Sequence, residues 1–206
     1  MPIVDFFGSA GAEEPAHERP LVVGLGGTIN GESASGRLLR HALGRCDALG
    51  AETRIFSGAA LDLPFYSPAA SERRERAQTL ISALRRARGV IISTPCYHGT
   101  ITGLIKNAID YVQDMASDPA PYFEGRAVGM IAVAAGWQAT GSTLATLRAI
   151  AHALRGWPTP MAVAANTSLP VFDEGGRIGD PGLLQQLDIM AEQVVKFAGV
   201  RASQPT

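Results

Sequence analysis

Short apolar runs, each followed by a longer stretch with apolar residues at helical spacing, recur along the chain. The runs are apolar at successive positions, which suits strands covered on both faces and predicts parallel strands alternating with helices. Leu21-Val22-Val23-Gly24-Leu25 is the first strand, and the loop from Gly26 to Ser35 leads into a helix from near Gly36 to near Gly50. Glu52 to Phe56 is a short second strand, with a loop around Pro64 and Pro68 before a charged helix from about Ser71 to Arg88. Gly89-Val90-Ile91-Ile92-Ser93 is the third, ending at Thr94-Pro95, and a helix from about Gly103 to Met115 follows. Ala127 to Ala134 is the fourth, with Gly136 to Gly141 as its loop and a helix from Ser142 to about Leu154. Met161 to Ala165 is the fifth, followed by a polar loop through Glu174-Gly175-Gly176 and a last amphipathic helix from Pro181 to Phe197. Strands with helices on both sides make a doubly wound sheet, which binds ligands beyond the carboxyl ends of its strands. Chemistry is therefore expected in the loops after Leu25, Ser93 and Ala134.

Composition narrows the partners. With 206 residues the chain suits one domain, expected over residues 20–200, with residues 1–19 expected as a disordered extension. A net charge of -1 with 18% charged residues favours neither nucleic acid nor an anionic membrane surface, and points to small-molecule substrates. Gly, Asp, Arg or Pro interrupts every apolar stretch before the roughly 18 residues a membrane span needs, so a soluble protein is expected. Cys46 and Cys96 are too far apart for a CxxC motif, and two cysteines are too few for a disulfide framework. A reducing, cytoplasmic setting fits, and no metal site is expected.

The first loop, Gly26 to Ser35, joins a strand to a helix and is rich in glycine and hydroxyl residues. Unpaired amides at a helix start, with Thr28, Ser33 and Ser35 as further donors, suit a phosphate. Neither GxGxxG nor GxxxxGK[ST] is present, so a monophosphate is favoured over a dinucleotide or a P-loop nucleotide. The bland alternative is that Ser33 or Ser35 only caps the helix.

The second loop reads Pro95-x-Tyr97-x-Gly99-Thr100-x-x-Gly103-x-x-Lys106-Asn107-x-x-Asp110. This pattern at a strand end resembles the NADPH-dependent FMN reductase family, whose members include flavin, quinone, azo and chromate reductases. The first loop resembles it too: Gly27-Thr28-Ile29-Asn30-Gly31-Glu32-Ser33 stands where the family shows Gly-Ser-x-Arg-x-x-Ser. The resemblance implies a flavodoxin-like three-layer sandwich around a five-stranded parallel sheet in the order 2-1-3-4-5. It also implies FMN and NADPH or NADH as cofactors. Thr28, Asn30, Ser33 and Ser35 would surround the flavin phosphate, while Pro95, Cys96, Tyr97, His98, Gly99 and Thr100 would line the isoalloxazine ring. Asn30 replaces the family arginine and removes a charge that would pair with the phosphate dianion.

Further expectations follow from the residues. A flavin needs donors at its pyrimidine edge, and backbone amides near Gly99 can come close because glycine has no side chain. Tyr97 either flanks the ring or packs beneath its loop. Lys106 and Asp110 suit an i,i+4 ion pair, and Asn107 a bond to a neighbouring loop. Cys96 suits an apolar filler more than a redox thiol. In the third loop Gly136, Trp137 and Gln138 are candidates for the flavin edge, with Trp137 equally suited to an interface or the core.

The resemblance implies hydride transfer to flavin N5 with no catalytic side chain, and reduced flavin that could supply a monooxygenase. The alternatives are a quinone, azo, nitro or chromate reductase with tightly held FMN, and a non-enzymatic carrier of the flavodoxin type. A near-neutral chain offers the carrier little steering toward a basic partner. A homodimer or homotetramer is a family expectation, with Tyr111, Met115 and Tyr122 as interface candidates.

Overall fold

A computed structural model describes residues 19–30, 32–69 and 71–202. The expected N-terminal extension lies outside them except for Arg19, as does Gly31 of the first loop. The strands are β1 (Leu21–Gly26), β2 (Glu52–Phe56), β3 (Gly89–Pro95), β4 (Ala127–Ala134), β5 (Trp157–Pro158) and β6 (Val163–Asn166). The helices are α1 (Ala34–Ala48), α2 (Ser71–Arg86), α3 (Gly103–Asp110), α4 (Trp137–Ala153) and α5 (Pro181–Ala202), with 3-10 turns at Gly58–Leu61 and Tyr111–Met115.

All pairings are parallel in the order β2-β1-β3-β4-β5, with β6 also on β4. This is the expected order with one strand more. β5 and β6 together form a single broken edge. Thr159 still donates its amide to Val128 O at 3.0 Å, but Pro160 has no N–H for the ladder, and pairing resumes at Val163 opposite Ile131. The expected fifth strand at Met161–Ala165 thus begins two residues late.

β1, β3 and β4 are buried along almost their whole length, as continuous apolar runs require. On one face α1 and α5 cover Val22, Ile91, Ile131 and Val163. On the other, α2, α3 and α4 pack over Val23, Leu25, Val90, Ile92 and Val128. β2 is the outer edge, and its exposed Glu52 and Arg54 make it a poor template for another strand.

Two expectations change here. The helix from Gly103 tightens to 3-10 geometry after Asp110. Tyr111 and Met115, expected at a subunit interface, are wholly buried in the core of their own chain, where the Tyr111 hydroxyl donates to Pro64 O at 2.8 Å. Tyr122 is half-buried with a positive φ of 57°.

Candidate functional site

Parallel pairing puts the ends of β1, β3 and β4 on one edge of the sheet, and the three candidate loops leave from that edge. In the first loop the Thr28 and Ser33 hydroxyls are 2.7 Å apart, and Ser33 and Ser35 are 3.2 Å apart. Ser33 is the N-cap of α1, extended at φ -63° and ψ 158°, and its Oγ accepts the Gly36 amide at 3.1 Å. The capping role and the hydroxyl cluster therefore coexist. Asn30 is turned inward on its own loop: its Oδ1 accepts the Glu32 amide at 3.0 Å, and its carbonyl accepts the Thr28 hydroxyl at 2.8 Å. Of the arginines early in α1, Arg40 pairs with Glu32 at 3.3 Å and Arg37 lies over the Phe172 ring at 3.7 Å.

The first and second loops are joined by buried hydrogen bonds. The Gly27 amide donates to Ser93 O at 2.7 Å, Ser93 Oγ to Ser35 O at 2.8 Å, and Thr102 Oγ1 to Gly27 O at 3.0 Å. Thr102 also caps α3 by accepting the Ile105 amide at 3.3 Å. Gly27 is required by this approach, because a Cβ there would lie 2.7 Å from Thr94 Oγ1 and 2.9 Å from Thr94 Cα.

Beyond Pro95 the chain makes a tight reversal. Tyr97 and Thr100 pair across it, the Thr100 amide donates to Tyr97 O at 3.3 Å, and φ is positive at both His98 (52°) and Gly99 (83°). Positive φ at both central positions is the signature of a type I′ turn, which suits glycine at the second. The His98 and Gly99 amides have no hydrogen-bond partner among the described residues. Tyr97 is 60% exposed, so it is not packed beneath the turn. Cys96 is half-buried, with its amide on Val133 O at 2.9 Å. Burial pushes its thiol up from the ordinary range, while the buried Thr143 hydroxyl, without a well-formed hydrogen bond, lies against it and pulls the other way.

The third loop is shorter than expected. Gly136, at φ -166°, is the N-cap, and α4 begins at Trp137, so Trp137 and Gln138 stand on its first turn. Gly141 is carried inside the helix, and its turn-forming composition is overridden by packing of Thr143 and Leu147. Trp137 is 57% exposed, which excludes a core anchor.

The supporting residues behave as their spacing suggests. Lys106 Nζ holds both Asp110 oxygens at 2.6 and 2.9 Å. Asn107 fastens the segment after β2 by accepting the Tyr66 amide and donating to the Leu63 and Pro64 carbonyls. Two residues escaped the sequence. Thr102 carries a readable signal, a hydroxyl residue directly before a helix; Ser142, whose Oγ donates to Gly99 O at 2.7 Å, carries none.

Known proteins resemble this chain. Residues 20–169 match the family described as NADPH-dependent FMN reductase. An FMN-dependent NADPH-azoreductase of Staphylococcus aureus is 27% identical over 139 residues, 66% of this chain and 70% of that protein. FerB, a flavoenzyme NAD(P)H:(acceptor) oxidoreductase from Paracoccus denitrificans, superposes with a TM-score of 0.67 at 19% identity, covering 87% of this chain and 97% of its own. The apo form of the NADH:FMN oxidoreductase EMOB gives 0.66 at 19% identity over 90% and 92%. At these identities the two structures establish the flavodoxin-like fold, while the match along residues 20–169 establishes kinship. This chain belongs to the NADPH-dependent FMN reductase family and is an NAD(P)H-dependent flavin oxidoreductase that uses FMN.

Proposed function

We infer that the chain binds FMN across its first two loops and passes a hydride from NADPH or NADH to flavin N5, releasing reduced flavin to a second acceptor. The observation that carries this is a pair of loops distant in sequence but joined by hydrogen bonds: a hydroxyl cluster at Thr28, Ser33 and Ser35, tied to the segment of a turn with two unpartnered amides. Rotatable hydroxyls and first-turn amides suit a phosphate monoester. Exposed Tyr97 and half-buried Pro95 and Cys96 offer apolar surface beside the turn, and the His98 and Gly99 amides are donors free for a pyrimidine edge. Thr100 closes that turn, and Gly136, Trp137 and Gln138 face the same edge of the sheet.

Bound FMN would supply the hydride acceptor. The residues supply binding, orientation and electrostatics, with no proton taken by a side chain. Asn30 contributes turn geometry where the family arginine contributes charge, which favours FMN that exchanges and serves as a substrate. Released reduced flavin would suit a monooxygenase in the cytoplasm. A second reading, direct reduction of an azo or quinone acceptor, draws support from the azoreductase relative and from the exposed aromatic rings of Tyr97 and Trp137.

Anaerobic titration with NADPH and then NADH in the presence of FMN, followed by filtration, tests both. Flavin bleaching and flavin in the filtrate are expected. Absence of FMN binding at millimolar ligand overturns the assignment, and retained flavin with rapid azo-dye turnover favours the second reading.

A further inference from the structure

Ser142 lies outside the three loops, on the second turn of α4, yet it makes the direct side-chain link between that helix and the Tyr97–Thr100 turn. Its hydroxyl donates to Gly99 O at 2.7 Å, and its longer contact to Ala139 O, at 3.1 Å, is an ordinary helical back-bond. Thr146 Oγ1 in turn donates to Ser142 O at 3.1 Å, so the linking residue is itself braced along the helix. The turn needs such support: its own closing bond is long at 3.3 Å, and His98 is held in a left-handed conformation that only neighbouring structure maintains. The Gly99 carbonyl shares its peptide plane with the Thr100 amide, and anchoring that plane restrains the two planes before it, which carry the unpartnered Gly99 and His98 amides.

We propose that Ser142 is a positioning residue that latches the Tyr97–Thr100 turn to α4, holding the backbone donors of His98 and Gly99 in the geometry that the flavin ring requires. This rests on the reading that the turn faces the ring. The latch acts on the ring end alone, since the hydrogen bonds of Ser142 run to Gly99, Ala139 and Thr146 and none runs to Thr28, Ser33 or Ser35. Ser142 is exposed, so removing its hydroxyl from a helix surface leaves global stability essentially intact.

The test compares wild type, Ser142→Ala and Ser142→Thr for the Kd of FMN and of riboflavin by calorimetry, with Tm and the midpoint potential of bound FMN. In Ser142→Ala both flavins are expected to bind about 3- to 10-fold more weakly, the size of one lost hydrogen bond, with their affinity ratio unchanged. The potential should move negative, because loosened donors stabilise the anionic reduced flavin less. Ser142→Thr, which keeps the hydroxyl, should restore both. Wild-type affinity and potential in Ser142→Ala, or a loss confined to FMN, overturns the latch while the flavin assignment stands. Failure of the wild type to bind either flavin overturns both.

Discussion

The environment of a single thiol offers a direct probe of where ligand sits. Cys96 is half-buried directly after β3 with its thiol raised by burial, so the reactive thiolate is scarce near neutral pH and grows as pH rises past the range where an open thiol is already ionised. Alkylation by iodoacetamide, followed by mass spectrometry, should therefore be slow at neutral pH, should keep accelerating into alkaline solution, and should slow again when FMN is saturating. A rate indifferent to FMN would place the ligand elsewhere. Cys46, fully buried on α1 and pushed up to about 12, serves as the internal control and stays unlabelled until the chain unfolds. At this scale, residues whose partners lie nearby in sequence were legible: the Lys106–Asp110 pair follows from helical spacing alone. Ser142 was not, because its partner is 43 residues away and nothing in its neighbours marks it.

Among the elements, the join between α2 and β4 depends on one cation. Arg126, 6% exposed, donates to the carbonyls of Leu84, Arg85, Tyr122 and Glu124 at 3.0 to 3.1 Å, which closes the end of α2 and the approach to β4 together. Burial holds its guanidinium below the usual arginine range. Arg126→Ala takes a donor from all four carbonyls, of which Leu84 O keeps the Ala87 amide at 3.3 Å, and should cost about 2 to 4 kcal/mol in urea unfolding, and Arg126→Lys should recover little because an ammonium cannot match a planar fork. The strand and helix order was legible because buried parallel strands are continuous apolar runs. Two boundaries were hidden by local chemistry. The glycines at 136 and 141 read as a loop although packing draws 137–153 into a helix, and the prolines at 158 and 160 hid the two-residue edge strand Trp157–Pro158.

Over the whole molecule, the near-neutral charge and a proposed phosphate loop that carries no basic side chain make ligand capture a matter of shape and hydrogen bonding. FMN affinity of the wild type should accordingly change little with salt. Asn30→Arg should tighten FMN about 3- to 10-fold at low ionic strength, leave riboflavin unaffected, and make FMN binding fall as salt is raised. Isothermal titration at two salt concentrations separates these outcomes. That the three candidate loops share one end of the sheet was readable from topology, whereas the way the first two are tied together was not, since Thr102, Ser93 and Gly27 meet only once β1 and β3 are paired. The close seat of Gly27 against Thr94 has a last consequence. The two halves of the proposed cleft are cast as one piece: even a methyl group at position 27 would wedge both apart, so on the proposed reading a bulkier ring is to be accommodated at the outer rim, at Tyr97 and Trp137, rather than by widening one jaw.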